Sequence, residues 1–145
     1  MVFDDVVELL RALPGVDVQI PGPGSDAPEI AQGDAFAFVG GGRMPFATVV
    51  TKDYPGDASS RLGAGRFRVN VDVGRARFAE IVGYPPVEHS EHDGEWDYAA
   101  DDSVVPHPVY ANAAWVSVTC PTEGVIAPLV TEAYARAAGR GARVR

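Results

Sequence analysis

One cysteine, Cys120, and one lysine, Lys52, are all that this 145-residue chain has of two residue types that often carry protein chemistry. A lone cysteine excludes an internal disulfide, and a cysteine-based zinc cluster would need several chains. Cys120 ends a predicted strand before Pro121 with no base or cation beside it, so it reads as an inert, half-buried thiol. No stretch approaches the roughly 18 apolar residues of a membrane span. The opening MVFDDVVELL has two aspartates where a signal peptide needs basic residues, so a cytoplasmic location is the default expectation. Also missing are a nucleophile elbow, a phosphate loop, a zinc quartet and a dinucleotide fingerprint. What is abundant is glycine (16), proline (12) and acid, with 20 Asp and Glu against 12 Lys and Arg for a net charge of −8. The 46% hydrophobic and 22% charged content is that of a soluble globular protein, and the length suits one core.

Helical spacing of Phe3, Val6, Val7, Leu10 and Leu13 predicts an amphipathic helix from Val2 to Leu13, stopped by Pro14 and Gly15. The Pro- and Gly-rich stretch from Pro21 to Pro28 reads as a surface loop. From Asp34 to Thr51, two strands flank Gly40, Gly41 and Gly42. No Gly-Lys-Ser/Thr follows those glycines, so they suit a hairpin turn better than a phosphate cradle. Phe67, Val69 and Val71 alternate with Arg66, Arg68, Asn70 and Asp72, the pattern of a strand with one buried and one polar face. A short helix over Arg75–Val82 stops at Gly83, and residues 84 to 103 form a long acidic connection. The stretch VVPHPVYANAAWVSVT, Val104 to Thr119, is a proline-pinned turn and a strand that puts Trp115, Ser117 and Thr119 on one face. The last helix should start near Gly124 with Pro128 in its first turn and a stripe of Ile126, Leu129, Val130, Ala133, Tyr134 and Ala137. The expected fold is therefore α+β. A single, mainly antiparallel sheet of about four to five strands, near 34–39, 46–51, 67–72 and 115–119, is packed by the N- and C-terminal helices. Residues 1–138 form the one domain and 139–145 a basic tail.

The segments PFATVVTKDYPG, FRVNVDVGRARFAEIVG, VPHPVYANAAWVSV and PLVTEAYARAA, in this order, resemble a bacterial family known as a domain of unknown function. From Arg66 onward the chain is more remotely similar to MmcQ/YjbR-like domains. Trp115, Val116 and Val118 match their W-V-x-V-like strand, and Tyr134 matches the aromatic of their C-terminal helix. That resemblance implies an antiparallel sheet packed by helices and a nucleic-acid role, and it supplies no catalytic residues. The chain departs from those domains in its acidic loop and in lacking a lysine-rich strand.

Several residues are candidates for a site. His89 and His92, three apart among Asp93, Glu95 and Asp97, have metal-ligand chemistry, but Gly94 works against the helical turn that would gather them, so a hydrated or ion-paired loop and no bound metal are expected. His107, held between Pro106 and Pro108 with Tyr110 three residues on, is rigid enough for a general base, or for a structural hydrogen bond in a packed turn. Lys52 in TKDYPG could form a Schiff base if buried, but beside Asp53 at a strand end it reads as exposed. Arg61, Arg66, Arg68, Arg75 and Arg77 precede an acidic run, Glu88 to Asp102, with seven acids and no Lys or Arg. Such blocks either pair with each other or form an anion site beside an acidic rim.

The leading expectation is a binding or interaction module without a cofactor, for a small anionic ligand or a protein partner. Its candidate ligand-binding residues are Lys52, Arg66, Arg68, His107, Tyr110 and Trp115. A small enzyme centred on His107, Tyr110 and Lys52 is one alternative. A DNA-binding protein centred on the arginine strand is the other, disfavoured by the net charge, and no membrane association is expected. Nothing in the sequence sets an oligomeric state.

Overall fold

Small and β-branched residues at alternate positions build six short strands. The computed structural model describes residues 1–144, with side chains as far as Arg140. In chain order the elements are α1 (Phe3–Arg11), β1 (Val16–Gln19), β2 (Ala35–Val39), β3 (Ala47–Val50), β4 (Arg68–Asp72), α2 (Arg75–Val82), β5 (Val104–Pro106), β6 (Trp115–Thr119) and α3 (Glu123–Val144). One sheet runs β1-β2-β3-β4-β6-β5, and every neighbouring pair is antiparallel. The fold is thus the expected α+β one, with two additional edge strands. β1 has only four residues, too short to stand out by periodicity, and β5 contains Pro106, which argues against a strand except at an edge where no ladder N–H is needed.

One face of the sheet carries Ala35, Ala37, Ala47, Val49, Val69, Val71, Val116 and Val118, all buried. The alanines let the helices approach closely. Val6, Val7 and Leu10 of α1, Phe78 of α2, and Ile126, Leu129, Val130 and Ala133 of α3 complete the same core. α2 keeps its expected bounds because Gly83 takes the left-handed conformation (φ 99°) that ends it. α3 begins one residue earlier than expected, so Pro128 lies beyond the first turn and leaves the Gly124 carbonyl without a helical donor. The helix then continues through the segment set apart as a basic tail, as far as Val144; Arg145 lies outside the described residues.

The opposite face is polar, as the alternation on β4 requires, but it is not open to solvent. Arg68 and Asn70 are each only 2% exposed, because the loop from residue 51 to 66 folds over them. Asp57 in that loop takes two hydrogen bonds from the Arg68 guanidinium (2.8 and 3.1 Å), Ser60 takes a third (3.0 Å), and Arg68 Nε donates to Asn70 Oδ1 (2.8 Å). Asn70 also accepts from Ser117 Oγ and donates to Thr48 Oγ1, so the network spans β3, β4 and β6. Removing one member of a buried pair such as Arg68–Asp57 typically costs about 3–5 kcal/mol, because the other charge is left stranded.

TKDYPG anchors the near end of this loop. The carboxylate of Asp34, fully buried, accepts from the Thr51 N–H and hydroxyl and pairs with Lys52 Nζ (3.0 Å) and the Tyr54 hydroxyl. Burial, reinforced by that hydrogen bond and the Asp34 charge, holds the Tyr54 hydroxyl far above its ordinary pKa.

The chain leaves β4 and returns on β6 at the same end of the sheet. Asp72 pairs with Trp115, and the Val73 N–H donates to the Ala114 carbonyl (3.3 Å). Between them the chain makes a long excursion: α2, the 3₁₀ turns of the acidic connection and the His107 turn meet at that end, while Asp101 bridges Thr119 and β5 runs along β6 from the opposite end. No helix among the described residues is long and apolar enough to cross a membrane.

Candidate functional site

This excursion borders an open groove of about 960 Å³, within the size range of small-molecule sites. Its apolar lining is Pro85, Pro86 and Val87 on one wall and Pro108 and Val109 on the other, and Arg75 and Ala76 of α2 also line it. Val87 and Val109 are exposed to solvent within it. The prolines follow from the sequence directly, since Pro85 and Pro86 forbid α2 from continuing and Pro108 fixes the turn after β5. A buried histidine supports each wall: His89, which also lines the groove, and His107, which does not.

His89, 8% exposed, holds the first wall. Trp96 Nε1 donates to the Tyr84 hydroxyl (2.8 Å), and the Tyr98 hydroxyl donates to Asp93 Oδ1 (2.6 Å). Tyr98 therefore accepts from His89 Nε2–H (3.2 Å), which leaves Nδ1 to accept from the Tyr84 hydroxyl (2.8 Å). The chain of donors runs one way, from Trp96 through Tyr84, His89 and Tyr98 to Asp93. Burial raises the pKa of both tyrosines, and the hydrogen bond to Asp93 adds to the effect on Tyr98. Of the two expected forms, a hydrated or an ion-paired loop, the acidic connection takes the paired one, with His89 beside Asp93 and His92 beside Glu95. It winds through 3₁₀ turns at Pro86–Glu91 and Asp93–Glu95, and the paired aromatic side chains make the difference. His92 stacks on Tyr84 with ring centroids 4.1 Å apart and pairs with Glu95. Among the described residues no three His, Cys, Asp or Glu side chains are grouped to hold a metal ion.

His107, 4% exposed, holds the second wall. Its Nδ1 accepts the backbone N–H groups of Val109 and Tyr110, both at 2.9 Å, so the ring proton resides on Nε2. Burial first, and then the nearby Arg68 charge, push its pKa down to about 3 against an opposing pull from Asp57, and the ring is neutral. Tyr110 and Trp115 lie beside it, with ring centroids at 4.9 and 6.4 Å.

The structure therefore brings His107, Tyr110 and Trp115 together, behind and beside the groove wall. Lys52 belongs to the separate Asp34 cluster, where its ammonium also donates to the Ile30 and Gln32 carbonyls. Arg66 is held by Asp101 (2.8 Å) and the Ala99 and Arg61 carbonyls. Arg68 lies under the loop. An open phosphate site on the arginine strand is thus corrected: both guanidiniums already have protein acceptors. Pairing between the arginine block and the acidic run is confined, among the described residues, to Arg66–Asp101, because Arg68 turns to Asp57 and Arg77 to Glu80 and Glu132. Sequence reading passed over Arg75 as a site residue of its own. It lines the groove and makes no ion pair or side-chain hydrogen bond among the described residues. Its position at the start of α2, two residues before the paired Arg77, was the only available signal.

A single six-stranded antiparallel sheet with helices packed on one face places this protein among α+β domains. The chain belongs to DUF6194, a family of unknown function, which matches it over residues 1–145. No curated protein and no solved structure matches the chain, so the likeness to MmcQ/YjbR-like domains has no support from them.

Proposed function

We propose that this protein is a binding module that takes a small ligand, with an anionic group and an apolar body, into the groove between the Pro85–Val87 and Pro108–Val109 walls. The observation that carries this reading is Arg75, a guanidinium without a protein partner among the described residues, set beside an apolar lining. The first turn of α2, where Arg75 sits, adds the positive end of a helix dipole to the same side. The small-anion reading of the sequence is kept, and its cation becomes Arg75 in place of Lys52, Arg66 and Arg68.

The enzyme reading is weaker. The basic lone pair of His107 is spent on two backbone N–H groups, and Lys52 belongs to a different cluster. The DNA reading loses the two arginines it relied on.

Titration of the ¹⁵N-labelled protein with hexanoate tests the proposal. Amide shifts should concentrate at Ala76, Val87, Val109 and Asn112, and Arg75→Gln should weaken binding several-fold. Shifts scattered elsewhere, or none at millimolar ligand, would overturn it.

A further inference from the structure

We infer that the ligand of this groove is a zwitterion, carrying a cationic group held by Asp93 as well as the anionic group held by Arg75. The inference rests on the groove being the binding site. Of the seven acids between Glu88 and Asp102, Asp93 alone lines it. The Asp93 carboxylate is fixed at one oxygen, because Oδ1 accepts the Tyr98 hydroxyl at 2.6 Å and lies 3.4 Å from His89 Nε2. The other oxygen, Oδ2, has no partner among the described residues, and the side chain is 63% exposed. A carboxylate locked at one oxygen and open at the other is preorganised to receive an ammonium group.

Arg75 and Asp93 line the same groove without pairing with each other, so each charge is left for something else to neutralise. The same groove is lined by Pro85, Pro86, Val87, Pro108 and Val109, which offer methylene groups an apolar surface and few hydrogen bonds. The whole-molecule field points the same way. A net charge of −8 repels a simple anion but is nearly indifferent to a neutral zwitterion. The chemical class is a small molecule whose ammonium and carboxylate are separated by an apolar spacer.

The test compares hexanoate with the straight-chain ω-amino acids from aminobutanoate to aminooctanoate, followed by groove amide shifts in the wild type, Arg75→Gln and Asp93→Asn. Asparagine keeps an oxygen for the Tyr98 hydroxyl, so the wall is retained. The best-fitting amino acid should bind roughly threefold tighter than hexanoate, a gain typical of one partly exposed ion pair. Asp93→Asn should erase the difference between the amino acid and hexanoate, while Arg75→Gln should weaken both. If hexanoate binds through Arg75 but no amino acid binds tighter, or if the gain survives in Asp93→Asn, the zwitterion inference fails and the binding module stands. If hexanoate leaves the groove amides unmoved, the binding-module reading fails and takes the inference with it.

Discussion

Protonation of His107 is excluded by its surroundings in the folded protein and unopposed in the unfolded chain, and this sets a pH dependence. The folded pKa is depressed to about 3 from 6.5, so the unfolded state takes up the proton first as pH falls. The stabilisation is fully present above pH 6.5 and is lost progressively towards pH 3. Between pH 6.5 and 5 this one group should lower the unfolding free energy by about 2 kcal/mol. Urea unfolding at the two pH values should show His107→Asn losing that part of the slope, since an asparagine oxygen can still accept the turn's N–H groups. An unchanged slope would mean that the ring is not held neutral. Gly74 shows the limit of reading single residues. Its backbone, at φ 82° and ψ 163°, is one that only glycine adopts readily, and a Cβ there would lie 2.4 Å from Arg136 Nε, the side chain that reaches Asp72. Nothing in the letters VDVGRAR reveals a partner more than sixty residues away.

Elements with a strong period were legible: α1, α2, the central strands and the apolar stripe of α3 all follow from apolar spacing. The acidic connection was not, because its order comes from Tyr84, His89, Trp96 and Tyr98 meeting one another, and aromatic residues at irregular intervals carry no periodic signal. The same holds for the cover over β4. Alternation told which side chains share the polar face, while the loop that buries them is tied down by Asp57, one acid among many. If the His89 chain sets the fold of the connection, His89→Ala should destabilise the protein by about 1–3 kcal/mol, the cost of leaving the Tyr84 hydroxyl proton without its acceptor and Tyr98 without its donor. Hydrogen exchange should accelerate most over Val87 to Tyr98 and least in β3, β4 and β6. Uniform acceleration, or none, would show that the aromatic chain does not organise this segment.

At the level of the whole molecule, the acidic charge and the internal use of Arg66 and Arg68 act together. Polyanions meet a repulsive field and find neither arginine free. Duplex DNA should therefore bind no tighter than about 10 μM at physiological salt, within the non-specific range. Fluorescence anisotropy with a mixed-sequence duplex measures this directly. Submicromolar, salt-sensitive binding abolished in Arg66→Ala/Arg68→Ala would restore the nucleic-acid reading.

The excursion from β4 to β6 is fastened at its base by the Asp72–Trp115 pair and the Val73–Ala114 hydrogen bond. A segment whose two ends are already adjacent adds little closure entropy when it grows, only about 0.6 kcal/mol for each doubling of a flexible loop. Apart from edge strand β5 and residues 99–102, which are tied to Arg66, Thr119 and Thr122, length changes between α2 and the His107 turn need not move the register of the central strands. The architecture therefore divides the load unevenly: the central strands hold their own register, and the turns that meet at one end are free to differ in length so long as Phe78, Ala111 and Ala114 keep their places in the core.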